Sequence, residues 1–196
     1  LVYGLIHRYL DDLPAAIFLS MSPDKTEIRP RYLLVSGPTD YGRTPEEKAM
    51  ITETIEKALT HWETSWSDYT AIIGGGYPGV ESFVSGGGYL GPDQKDTLCF
   101  QKTGKPAFVL TPNEHRDGIG ARLLHNKLLC EVASDILLFK PPKSNNNRQS
   151  FMQNWVDNHR LIYPKGNDHY KRLGVWGDKK ITRQQDTFIG VGNPSA

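Results

Sequence analysis

The chain of 196 residues carries 23 basic and 22 acidic side chains, a formal net charge of +1, so no global field draws it to nucleic acid or to an anionic membrane surface. That length suits one ordinary domain with a substantial core and a terminal extension. The cysteines, Cys99 and Cys130, stand far apart without a C-x-x-C pattern, which argues for reduced thiols in a cytoplasmic protein. No apolar run reaches the roughly 18 residues of a membrane span, and the histidines show no His-x-x-x-His spacing, so neither a membrane nor a metal is expected. A first residue of Leu in place of Met points to a chain that was trimmed or that belongs to something longer.

Val2, Leu5, Ile6, Tyr9, Leu10 and Leu13 recur at helical spacing, so residues 1–30 read as an amphipathic helix ending near Pro14 and a linker, the apolar stripe packing on the domain or on a partner. From Arg31 the pattern alternates between strand and helix. Tyr32-Leu33-Leu34-Val35 reads as a buried strand, followed by a polar loop from Ser36 to Gly42. Thr44 as cap, Pro45 at the first position and Glu47 form a capping box ahead of the stripe Met50, Ile51, Ile55, Ala58, Leu59 and Trp62. A strand from Tyr69 to Ile73 runs into Gly74-Gly75-Gly76, and Pro78 suits the opening of a short helix through Phe83. Lys105 to Leu110 reads as a strand, because Pro106 and Pro112 would break a helix. A helix from Ile119 to Ser134, a strand from Asp135 to Phe139, a polar loop from Lys140 and a helix carrying Phe151, Met152, Trp155 and Val156 complete the series. After Pro164 the periodicity fades, so 165–196 reads as an irregular extension in which Thr187 to Val191 is an edge-strand candidate. The β-α-β rhythm of 31–164 predicts an α/β fold, a Rossmann-like parallel sheet flanked by helices on both faces.

In such sheets ligands sit at the carboxyl ends of the strands, where the strand order reverses. Gly74, Gly75 and Gly76, followed by Tyr77, Pro78 and Gly79, have the shape of a phosphate-binding turn there. Residues without side chains let backbone N–H groups approach an anion, and a helix opening at Pro78 would add the positive end of its dipole. The spacing is neither G-x-G-x-x-G nor a P-loop, which disfavours a dinucleotide dehydrogenase or a Walker ATPase. A tight strand-to-helix turn with no ligand is the plainer alternative. Ser36, Gly37, Pro38 and Thr39 in the loop after the first strand, and Lys143 and Ser144 in the loop after Phe139, emerge at the same edge. Glu81, five residues after Gly76, is the candidate acid, weighed against a solvated glutamate in the first turn of a helix. Asp40, Glu114 and Asp117 are further acids near that edge, and His125 between leucines reads as structural. Lys127, Lys140, Lys143 and Arg148 would form a rim that grips one small ligand rather than a duplex.

Taken in order, these motifs resemble the SLOG superfamily over 31–164, the Rossmann-like group that contains the LOG cytokinin-activating phosphoribohydrolases, the lysine-decarboxylase-like proteins and the Smf/DprA proteins. Val35-Ser36-Gly37 is similar to the family's first strand and glycine-serine turn, and Ile72 through Val80 to its second glycine turn. His125-Asn126-Lys127-Leu128-Leu129 ahead of Ser134-Asp135-Ile136-Leu137-Leu138 resembles the helix that brings basic residues toward the ligand before an aspartate-led strand. The resemblance implies a nucleotide-like small molecule as partner, no cofactor, and a contribution to the site from Arg122, Asn126 and Lys127 on that helix. One departure bears on catalysis. LOG hydrolases carry Pro-Gly-Gly-x-Gly-Thr-x-x-Glu after that strand, whereas here 141–149 has no glycine and Gln149 stands near the place of the acid.

Loss of that segment favours binding of a nucleotide or nucleotide-derived small molecule, as a sensor or ligand-binding domain. Hydrolysis of a nucleotide N-glycosidic bond, with Glu81 and Arg122 as relocated catalytic residues, is the alternative. A structural or assembly protein on the same fold is the third reading, and a homo-oligomer formed through helices stays open.

Overall fold

Tyr32–Ser36 (β1) and Asp135–Phe139 (β4) are buried along their whole length, as strands covered on both faces must be. The computed structural model describes residues 29–87 and 93–177, and the backbone of 187–190. The helix expected over the first dozen residues therefore lies outside the described residues. Pro45–His61 (α1) follows β1, and Ala71–Gly74 (β2) leads through a turn to Val80–Val84 (α2). Leu98–Thr103 (α3), the two-residue strand Phe108–Val109 (β3), Glu114–Asp117 (α4) and Ala121–Val132 (α5) precede β4. Asn147–Ile162 (α6), Arg172–Trp176 (β5) and Thr187–Gly190 (β6) come after it.

Every neighbouring pair of strands is parallel, in the order β3-β2-β1-β4-β5-β6. The chain thus winds outward from β1 in one direction and from β4 in the other. The expected α/β architecture is present, with the topological reversal between β1 and β4.

The capping box expected for α1 is formed. Thr44 Oγ1 accepts from Glu47 N at 3.2 Å, and Glu47 Oε2 accepts from Thr44 N at 3.1 Å, a cap that contributes about 1 kcal/mol. Ile51, Ile55, Ala58 and Leu59 of α1 are buried in a cluster with Leu33, Val35, Leu137, Phe139 and Trp176 of the sheet. On the other face α5 packs on β1 and α6 on β4, burying Leu128, Leu129, Met152 and Val156.

Two expectations need correction. The stretch 165–196 is not irregular throughout: β5 is an inner strand with Leu173, Gly174, Val175 and Trp176 buried, and β6 takes the edge place expected near Thr187. Gly174 breaks the apolar pattern because α1 needs the room. A Cβ there would stand 2.6 Å from Leu137 Cδ1 and 3.2 Å from the Trp62 ring. The short helix after the glycine turn begins at Val80, with Gly79 at φ 80° before it, so Pro78 lies outside it.

The amino edge of the sheet closes on a buried carboxylate. Asp135 accepts from Tyr69 Oη at 2.7 Å and from Arg31 Nη2 at 2.8 Å, and Arg172 engages both of its oxygens. Among the described residues no helix is long and apolar enough to cross a membrane.

Candidate functional site

Ser36 ends β1, Gly75 follows β2, and Arg148 and Gln149 lie in the first turn of α6, so the reversal between β1 and β4 brings residues far apart in sequence to one edge. Their common partner is Glu81, which is fully buried. Its Oε1 accepts from Ser36 Oγ at 2.8 Å and from the Arg148 guanidinium, and its Oε2 accepts from Gly75 N at 2.8 Å. A solvated glutamate is thereby ruled out. Burying a lone carboxylate would be costly, and here a cation, a hydroxyl and a backbone N–H offset that cost.

Arg148 is held from several sides. Nε donates to Asn126 Oδ1 at 2.8 Å, Nη1 donates to Ser36 Oγ at 3.2 Å as well as to Glu81, and the guanidinium carbon stands 4.0 Å from the Tyr77 ring centroid. Gln149 Nε2 donates to Ser36 Oγ at 3.2 Å. Ser36 therefore gives its proton to Glu81 and fills both lone pairs, which completes its inventory. His125 on α5 lies beneath, with Nε2 2.5 Å from Leu110 O. A carbonyl only accepts, so Nε2 carries the proton and Nδ1 is a bare acceptor. Burial pushes the imidazole down to about 4, which keeps it neutral at ordinary pH. Burial likewise raises the Tyr77 phenol above its ordinary value.

Four buried polar atoms of this cluster have no hydrogen-bond partner: Tyr77 Oη, His125 Nδ1, Arg148 Nη2 and Gln149 Oε1. Each such atom costs about 1–3 kcal/mol. Gly75 lies against this cluster, since a Cβ there would stand 2.8 Å from Arg148 Nη2 and 2.9 Å from His125 Cε1.

The expected site residues divide. Ser36, Gly75, Tyr77, Glu81 and Asn126 are in the cluster, and Gly76, at φ 71°, continues the turn between Gly75 and Tyr77. Gly37, Gly74 and Gly79 serve close packing instead: a Cβ on Gly37 would collide with Val80, one on Gly74 with Ser85, and one on Gly79 would stand 2.6 Å from the carbonyl oxygens of Pro38 and Tyr41. The loops after β1 and β2 thus meet through carbonyls and methyls, which do not attract an anion. Thr39 and Lys143 are exposed, and Ser144 closes a turn on Pro141 O at 3.4 Å. Lys127 is half-buried, its charge acting on Glu131. Arg122 stands apart from these residues. It is largely exposed and paired with Glu114 at 2.9 Å, outside the buried cluster, although its charge reaches Tyr77.

Sequence reasoning placed Arg148 on a basic rim and missed it as the centre of the site. The available signal was its position next to Gln149, where the SLOG resemblance puts the catalytic acid. Among the described residues no group of His, Cys, Asp or Glu is arranged to hold a metal ion. Compared with protein-family models, with curated proteins and with solved structures, the chain matches none.

Proposed function

We propose that the protein binds a nucleotide or a nucleotide-derived small molecule at the carboxyl edge of its sheet, as a ligand-binding or sensor domain. The observation that carries this reading is the set of four unpartnered atoms on Tyr77, His125, Arg148 and Gln149 around a buried ion pair. A purely structural ion pair gains nothing from leaving such atoms unsatisfied, whereas a ligand with donors and acceptors of its own repays all four. Their place beside the reversal of strand order, where doubly wound sheets take their ligands, adds support, as does the SLOG resemblance of 31–164. Native mass spectrometry of the protein mixed with a panel of nucleosides and their 5′-monophosphates tests the proposal. A saturable adduct with at least one member is expected, and a panel without any adduct contradicts it.

Hydrolysis of an N-glycosidic bond is the second reading, favoured by the buried Glu81 carboxylate inside the same cluster. Against it, both oxygens of Glu81 are already engaged, which uses three of a carboxylate's roughly four acceptor sites and commits the side chain to holding Arg148 in place. Chromatography of nucleoside monophosphates after incubation separates the two: no free base is expected, and base release abolished by Glu81→Gln would establish the hydrolase.

A further inference from the structure

The donors around Glu81 are those from which a phosphate site is built. A backbone N–H from a glycine turn (Gly75), a serine hydroxyl (Ser36) and an arginine guanidinium (Arg148) all converge on its carboxylate. We infer that Glu81 occupies from within the place a ligand phosphate would take at this turn, so that the ligand group admitted among Tyr77, His125, Arg148 and Gln149 is uncharged and the protein selects nucleosides over nucleotides. This inference rests on the binding function proposed above and narrows its ligand class.

Charge and hydrogen-bonding capacity both lead there. Arg148 and Glu81 cancel, and the remaining members of the cluster, Ser36, Tyr77, His125, Asn126 and Gln149, carry no charge. Arg122 and Glu114, whose charges reach Tyr77, are paired with each other. A phosphate brought against this assembly meets a fixed, buried carboxylate across a short distance, and like charges in a low-dielectric place repel strongly. The unspent atoms are suited to a neutral guest. Gln149 Oε1 and His125 Nδ1 accept, Arg148 Nη2 donates, and Tyr77 Oη does either. Hydroxyl or amide groups of a nucleoside satisfy that set, whereas a phosphate, which only accepts, leaves Gln149 Oε1 and His125 Nδ1 without donors.

Isothermal titration of the wild-type protein with adenosine, guanosine, cytidine and uridine, each beside its 5′-monophosphate, is the test. For the member that binds, the nucleoside is expected to bind at least as tightly as its monophosphate. In Glu81→Gln, which removes the negative charge and keeps the shape, the ratio of monophosphate to nucleoside affinity should rise by about tenfold or more, because the repulsion of a phosphate is gone and the charge of Arg148 is left uncompensated. A monophosphate that binds the wild-type protein more tightly than its nucleoside overturns the inference and leaves the binding function standing. Binding of no member overturns both. The wild-type comparison needs no substitution, so it decides the matter even where Glu81→Gln fails to fold.

Discussion

The Arg148 guanidinium stands over the Tyr77 ring, its central carbon 4.0 Å from the ring centroid, while the same group holds the carboxylate of Glu81, 67 residues away in sequence. The ring contact, the ion pair and the bond from Nε to Asn126 hold the fork from three sides. Together they leave Nη2 as the arm without a partner.

Removing the guanidinium leaves Glu81 buried without its cation. Arg148→Ala should therefore lower unfolding stability by roughly 3–5 kcal/mol, the usual consequence of breaking a buried pair from one side. Urea denaturation of the two proteins checks this. A loss below about 1 kcal/mol would mean that the carboxylate does not depend on Arg148.

Stability should also fall as pH drops from about 6.5 to 4. His125 in the folded protein titrates near 4, pushed down chiefly by burial, whereas the unfolded chain takes up its proton near 6.5. Below 6.5 the unfolded state binds the proton that the native state refuses, so the contribution is fully present above 6.5 and is lost on acidification, on the order of 3 kcal/mol at the lower end. His159, also lowered to about 4 with burial as the main cause, acts with the same sign. Denaturation midpoints between pH 7 and pH 4, compared with those of His125→Phe, isolate the His125 part. A variant with the wild-type slope would contradict the assignment.

The amino-edge network gives a control far from the proposed ligand. Asp135→Asn leaves Arg31 and Arg172 without their shared carboxylate and should destabilise the fold by roughly 3–5 kcal/mol. Ligand affinity in the folded fraction should stay within about threefold, because Asp135 starts β4 and the cluster lies at the strand's other end.

Arg122→Ala should do little. Exposed ion pairs contribute about 0–1 kcal/mol, and the Arg122 pair with Glu114 is exposed on both sides. Thermal unfolding and ligand titration of this variant should match the wild type closely. A tenfold loss of affinity would return Arg122 to the site.

Local chemistry was legible in the sequence and long-range chemistry was not. The α1 cap was readable because Thr44 and Glu47 lie three residues apart, and the buried strands because Leu33-Leu34-Val35 and Ile136-Leu137-Leu138 are continuous apolar runs. β5 was hidden because Lys171 precedes it, Arg172 opens it and Gly174 interrupts it. Each has a tertiary reason: Lys171 Nζ donates to Glu131 O and Ala133 O at the end of α5, Arg172 binds Asp135, and Gly174 makes room for Leu137 and Trp62. The glycine turn lies at the carboxyl edge of the sheet as its position after β2 suggested, yet the anion it serves is internal. Nothing within one helical turn of Glu81 reveals that Ser36, 45 residues away, and Arg148 close over it.

Entry of a small molecule into the cluster beside Gly75 is best tested at Gly75 itself. A valine side chain there would occupy the space next to Arg148 Nη2, Glu81 Oε2 and His125 Cε1, all within 2.9 Å of its first carbon, at a stability cost of about 1–3 kcal/mol for overpacking. Isothermal titration of the wild-type protein and of folded Gly75→Val against the nucleoside and nucleotide panel is the measurement. Saturable binding of at least one member by the wild type and none by the variant is expected. Equal affinity in the two proteins, or no binding by the wild type, would contradict it.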